Sequence, residues 1–78
     1  MQATLEGVKK ALGITGEYQD DTLQEYFDEV IDFLRDSGVA DTSITNGVVA
    51  RGVSDLWGTY GQLSQYFLQR AAQLSYKG

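Results

Sequence analysis

Carboxylates are the side chains of this chain whose types and spacing could most readily do chemistry. Five of them recur every three or four residues, so a helix would place them on one face: Asp21, Glu25, Asp28, Asp32 and Asp36. Two such carboxylates could form a general acid/base pair, and a cluster could bind calcium. The 78 residues include no His and no Cys. Therefore the usual neutral-pH base and the thiolate nucleophile are absent. The candidate catalytic groups that remain are carboxylates, Ser, Lys and Tyr.

These groups do not fit three common site motifs. The segment DDTLQEYFDEVI lacks the EF-hand pattern of acids at loop positions 1, 3 and 5 followed by Gly. The segment GVVARG lacks the Lys and the preceding strand of a phosphate-binding loop. Asp36-Ser37-Gly38 ends a predicted helix, whereas the modified Ser of an acyl carrier protein opens one within Asp-Ser-Leu. We therefore predict no catalytic residue, no metal and no cofactor, and an acyl-carrier function is disfavoured.

The chain is short enough for one domain, residues 1–78. A domain of this size buries about 60–65% of its unfolded surface and commonly needs a disulfide, a metal or a partner subunit. Without Cys or His, a partner subunit is the stabilising device that we expect. No stretch approaches the about 18 apolar residues that cross a membrane, and no signal-peptide pattern opens the chain. We expect no membrane contact.

The net charge of −5 is unevenly distributed. Residues 17–41 carry nine acids against one base, and residues 42–78 carry three bases against Asp55. Such a polarised subunit suits head-to-tail contacts between copies, positive flank to negative flank. The alternative is that the acids simply keep an exposed helix soluble. With six bases in all, the chain is poorly suited to wrapping DNA from outside.

The first half of the chain predicts two helices. Residues 4–12 form the first, with Thr4 as N-cap and Gly13 as the residue after its end. The second is long and acidic; Asp21 caps it, Gln24 completes a capping box, and Gly38 ends it.

The second half predicts two more helices joined by a Gly-rich elbow, residues 58–61. Asn46-Gly47 could be a hairpin turn, but a helix is preferred because Val49, Val53 and Trp57 then share a face. Tyr60 falls on that face as well, and Ser64 caps the last helix. The predicted fold is an all-α bundle of about four helices.

The apolar positions define the predicted core. It consists of Leu23, Phe27, Val30, Leu34, Val53, Leu56, Trp57 and Phe67. On the second helix the apolar residues span roughly 160°, more than one packing contact needs. The surplus flank holds Tyr26 and Phe33, for which we predict a second, intermolecular contact.

Two tracts of the chain resemble a known family. ARGVSDLW at 50–57 and LSQYFLQRAAQL at 63–74 are similar to the third and fourth helices of the small head–tail connector (adaptor) proteins of tailed phages. LEGVKKALGI near the N-terminus follows that family's opening, so the resemblance covers about residues 4–75. Gly52, within the first tract, is expected to allow close approach of helices.

The resemblance implies a structural, non-enzymatic protein of the virion, made in the bacterial host cytoplasm. About a dozen copies would form a ring below the portal protein, extending the DNA channel toward a head-completion or tail protein. Double-stranded DNA would pass through without specific binding, and the five carboxylates would face the channel. We predict subunit or portal contacts at Arg70, Gln73, Tyr66, Tyr26 and Phe33. The alternative function is a monomeric acidic helical module that docks one partner.

Overall fold

The computed structural model describes residues 2–58 and 63–77, with Lys77 described through its backbone alone. These residues form four α-helices and one 3-10 turn, without a strand among them, which confirms the all-α prediction with a long acidic second helix. The elements are α1 (Leu5–Leu12), α2 (Asp20–Asp36), the 3-10 turn (Asp41–Ser43), α3 (Asn46–Gly58) and α4 (Gln65–Lys77).

Local hydrogen bonds begin and end α1 as its sequence predicts. The Thr4 Oγ1 accepts a hydrogen bond from the Gly7 N–H at 3.0 Å, which satisfies a donor of the first turn. Gly13 follows the helix with φ +73°, a left-handed conformation that a side chain would disfavour. Both terminal predictions are confirmed.

The start of α2 differs from the prediction, and its first residue is in contact with α1. The helix begins at Asp20, its N-cap Gln19 makes no side-chain capping bond, and Asp21 lies inside the first turn. The predicted Asp21–Gln24 capping box is therefore wrong. Lys9 on α1 donates its Nζ to the Asp20 Oδ1 and to the Gly16 carbonyl, both at 2.6 Å. This ion pair and the helix dipole favour carboxylates at this end of the helix.

The hairpin alternative at Asn46-Gly47 is wrong, because both residues lie in the first turn of α3. The Thr45 carbonyl accepts a hydrogen bond from the Val49 N–H at 3.0 Å. The Thr45 hydroxyl accepts a second hydrogen bond from the Val48 N–H at 3.4 Å. The Asn46 Oδ1 accepts from the Thr4 N–H at 2.9 Å, which fastens the start of α3 to the start of α1.

Helix α3 lies at the centre of the bundle and packs against α1 and α2. A Cβ added to Gly52 would lie 2.8 Å from Val30 Cγ1 on α2 and 2.8 Å from Phe67 Cε1 on α4. The missing side chain therefore allows three helices to approach one another here, as the sequence predicts. The end of α2 is marked by Gly38 at φ +86°, as predicted.

One cluster of buried apolar residues joins all four helices. Of the eight predicted core residues, seven are buried in it: Leu23, Phe27, Val30, Leu34, Val53, Leu56 and Phe67. The prediction for Trp57 is wrong, since this residue is 40% exposed. It lies near the end of α3, where its ring and the Tyr26 ring form a T-shaped pair at a centroid distance of 5.7 Å.

A side-chain contact between α3 and α4 brings together the two sides of the predicted elbow. The Ser64 hydroxyl donates to the Asp55 Oδ2 at 2.6 Å and accepts from the Phe67 N–H at 3.1 Å. Ser64 thus caps α4 as predicted and ties it to α3. Residues 59–62, which include most of the elbow and Tyr60, lie outside the described residues.

Candidate interaction surfaces

The first candidate surface, called the acidic face here, is formed by the five carboxylates of α2. All five are exposed, and their positions on the helix lie opposite the buried residues Leu23, Val30 and Leu34. At about 1.5 Å per residue, the face extends about 22 Å along the helix. It is a continuous row of negative charge turned away from the core, and its predicted position at a DNA channel stays a prediction.

The second candidate surface, the basic–aromatic patch, is formed by Arg51 on α3 with Tyr66 and Arg70 on α4. The Arg51 Cζ lies 4.9 Å from the centroid of the Tyr66 ring, a cation–π geometry. Tyr66 is 59% exposed, and Arg70, one helical turn further on, is half-buried. The patch therefore presents two guanidinium groups around one exposed aromatic ring.

Two depressions meet at this patch. One has a volume of about 290 Å³ and lies between the start of α3 and α4, lined by Thr45, Gly47, Val48, Arg51, Tyr66, Phe67 and Arg70. The other has a volume of about 200 Å³ and is lined by Tyr66, Gln69, Arg70 and Gln73. Tyr66 and Arg70 line both depressions. Their open shape and surface position suit side chains of a docked protein better than an enclosed small molecule.

The structure brings together three of the five predicted interface residues. Arg70, Gln73 and Tyr66 line one depression on α4. Tyr26 and Phe33 are half-buried on the flank of α2, where each ring contacts an aromatic ring of the same chain. For Phe33 the partner is Phe67, at a centroid distance of 6.0 Å. Part of the flank predicted to meet another molecule is therefore covered within the chain, and its intermolecular role stays a prediction.

Arg51 is the residue of this patch that the sequence prediction missed. Within α3 it shares a face with Ser54 and Asp55, and nothing in the local pattern distinguishes it from an ordinary solvent-facing cation. Its role depends on Tyr66, fifteen positions further on. The packing of α4 on α3 brings the two side chains together.

A third surface is the groove beside Trp57. It has a volume of about 370 Å³ and a mainly apolar lining: Leu12, Ile14, Gln19, Leu23, Val53, Ser54, Trp57 and Gly58. A wider depression of about 500 Å³ lies along α1, where Lys9 is already bonded to Asp20 and Thr4 caps the helix.

The described part of the chain also lacks the groupings of some other functional classes. Among residues 2–58 and 63–77, no three potential metal ligands of the His, Cys, Asp or Glu type converge. Within the same residues, no helix combines the length and the apolar character that a membrane crossing requires.

The two tracts that carry the family resemblance form one structural unit. Gly52 approaches Phe67, and Asp55 bonds Ser64, so residues of the first tract contact residues of the second. The exposed residues of the same unit, Arg51, Tyr66 and Arg70, form the basic–aromatic patch. Comparison of the chain with family models, curated proteins and solved structures gives no significant match.

Proposed function

We propose that this chain is a structural head–tail connector (adaptor) protein of a tailed phage. In this function it assembles as a ring below the portal and extends the DNA channel toward a head-completion or tail protein. The proposal starts from the resemblance of residues 50–57 and 63–74 to that family. Its role is to bind neighbours in the virion, so it needs surfaces and no catalytic residue.

The observation that carries the proposal is the α3–α4 unit. Two internal contacts, Gly52 with Phe67 and Asp55 with Ser64, connect the two resembling tracts. Side chains at the surface of the same unit form the basic–aromatic patch. A pair of helices that both folds the subunit and presents a docking surface suits a small assembly protein.

The distribution of charge supports the same function. The acidic face lies on the outer side of α2, while the arginines of the patch lie on α3 and α4. A subunit with two different surfaces of opposite charge is suited to heterologous contacts, which close into rings when the rotation between copies allows.

Capture by a portal protein from the same genome tests the proposal. Portal immobilised on a resin should retain this chain, and electron microscopy of the complex should show a ring of copies on the tail-facing side of the portal. A portal from an unrelated phage is the matched control. The function is refuted when purified virions contain no copies of the chain between the capsid vertex and the tail.

One observation favours a second candidate, the monomeric partner-binding module. Trp57 borders an apolar groove of about 370 Å³, which could receive an apolar side chain of a single partner. Light scattering separates the two functions. The module remains a monomer with and without portal, whereas the connector increases in mass when portal is added.

A further inference from the structure

We propose that copies of this chain associate head to tail, with the acidic face of one copy docked on the basic–aromatic patch of the next. This inference deepens the proposed function and rests on it for the claim that copies associate. It goes further by assigning both halves of the contact to named side chains. The occupant of the patch is thus a second copy of this chain.

The first argument is the supply of uncommitted positive charge. Lys9 is bonded to Asp20 at 2.6 Å, and Arg35 lies 3.4 Å from Asp41. In contrast, neither Arg51 nor Arg70 lies within ion-pair distance of a carboxylate among residues 2–58 and 63–77. Their N–H donors are therefore available to carboxylates of another molecule, which arginine binds in a two-pronged geometry.

The second argument is that the patch is organised before it binds. The Arg51 guanidinium lies over the Tyr66 ring, and Arg70 is half-buried and lines two depressions together with Tyr66. Ordering these long side chains in advance lowers the entropic cost of docking. Arginine and tyrosine are also the residue types that contribute most to protein interfaces.

The third argument is that the acidic face has the matching spacing and a reason to be covered. Carboxylates three or four residues apart, such as Asp28 and Asp32, lie about 6 Å from one another along the helix. Both are exposed, and like charges at this spacing destabilise an isolated helix. Two guanidinium groups from a neighbour would pair with these carboxylates and relieve the repulsion.

The fourth argument is that the two surfaces cannot meet within one copy. The carboxylates point away from the core, opposite the side of α2 that packs on α3. On α4, the patch lies on the side that meets Arg51. The α4 residue that lies near the end of α2 is a different one, Ser75, which is close to Gly38. Each copy therefore has one acidic and one basic half-contact on different sides, and association continues from copy to copy.

The inference changes the role predicted for the acidic face. Carboxylates covered by a neighbouring copy do not line a DNA channel. The inference therefore assigns the middle of the acidic face, around Asp28 and Asp32, to the contact between subunits.

A charge-exchange experiment tests this contact. One variant carries Arg51→Glu and Arg70→Glu, and the other carries Asp28→Lys and Asp32→Lys. Each variant alone places like charges on both halves of the contact, so its self-association at low salt, measured by sedimentation, should weaken by about tenfold or more relative to the natural chain. An equal mixture restores opposite charges at every contact and should recover the association of the natural chain.

Control variants show whether the change in association is specific to the two surfaces. Glu6→Lys and Lys10→Glu change exposed charges of α1, away from both surfaces, and should leave association unchanged. Circular dichroism checks that every variant is folded. The natural chain has no Cys, so Asp32→Cys in one preparation and Gln73→Cys in another also allow cross-linking. The mixed pair should cross-link more strongly than either variant with itself.

The inference is overturned when the mixture associates no better than the separate variants, or when the natural chain stays monomeric at low salt and the mixed Cys pair gives no preferred cross-link. These results leave the connector function standing, because portal capture measures that function separately. A natural chain that self-associates through these surfaces and yet is absent from virions would refute the function and retain the contact.

Discussion

Replacing Gly52 by alanine tests the central packing contact of the fold. Gly52 lies within α3, and a Cβ there would lie 2.8 Å from Val30 Cγ1, 2.8 Å from Phe67 Cε1 and 2.9 Å from Phe67 Cζ. Ordinary carbon–carbon contacts are about 3.5–4.0 Å, so the new methyl group overlaps its neighbours by at least about 0.6 Å.

The neighbours have little room to move. Val30 is 0% exposed and Phe67 is 1% exposed, and the Phe67 ring also packs against Phe33. Overpacking of this kind costs about 1–3 kcal/mol, while exchanging glycine for alanine inside a helix gains about 1 kcal/mol. Because three close contacts meet at one buried point, we expect the upper part of that cost. The net loss in the free energy of unfolding should be about 1–2 kcal/mol.

Urea unfolding followed by far-UV circular dichroism measures this loss. The matched control is Gly47→Ala in the same helix, where a Cβ meets nothing within 4 Å. The control should stabilise the protein by a few tenths to about 1 kcal/mol, because helix propensity is then the main term. The two glycine-to-alanine changes are therefore expected to have opposite signs. In a chain of this size, the loss at Gly52 corresponds to a fall in Tm of about 4–16 °C.

A second substitution, combined with Gly52→Ala, shows whether the Phe67 ring causes the loss of stability. Phe67→Leu removes the ring atoms that the new methyl group would meet, so Gly52→Ala should cost less in that background than in the natural chain. A Gly52→Ala protein as stable as the natural chain, or more stable, would show that the three helices do not approach each other as described.

Three further substitutions test the contacts that begin the helices and tie them together. Thr4→Ala removes the hydrogen bond that the Thr4 hydroxyl accepts from the Gly7 N–H and should reduce the free energy of unfolding by about 1 kcal/mol in urea titrations. A change no larger than the experimental error would refute the cap. Lys9→Met should reduce the free energy of unfolding by about 1–2 kcal/mol in thermal unfolding, because it removes the bond to Asp20. Lys10→Met, at an exposed position, should change this free energy by less than about 0.5 kcal/mol. Equal effects of the two substitutions would contradict the bond to Asp20. Ser64→Ala removes both the cap of α4 and the hydrogen bond to Asp55. The rate of hydrogen exchange should therefore rise at the first amides of α4, and an unchanged rate there would contradict these bonds.

Four residues of the two tracts at 50–57 and 63–74 make contacts between α3 and α4. Gly52, Asp55, Ser64 and Phe67 belong to the two resembling tracts, and each contacts a residue of the other tract. These residues therefore have a structural reason to occur together. Arg51, Tyr66 and Arg70 add little to the core, and the proposed contact between copies gives them a role.

Local sequence determined the helical class, most helix ends and most of the core. The Thr4 cap, the left-handed Gly13 and the Ser64 cap involve hydrogen bonds or backbone angles within about four residues, so the residue type and its position suffice to predict them. Helical periodicity similarly placed seven of eight predicted core residues in the interior.

Tertiary structure decided the features that depend on residues distant along the chain. The first residue of α2, Asp20, is bonded to Lys9 on another helix. Trp57 is exposed although its position falls on the apolar face of α3, and it borders a groove that Leu12 and Leu23 of α1 and α2 also line. Likewise, Arg51 joins the patch because the packing of α4 on α3 brings Tyr66 to its guanidinium. A periodic pattern identifies which face of a helix is apolar, but how far a neighbouring helix covers that face depends on the packing of the whole bundle.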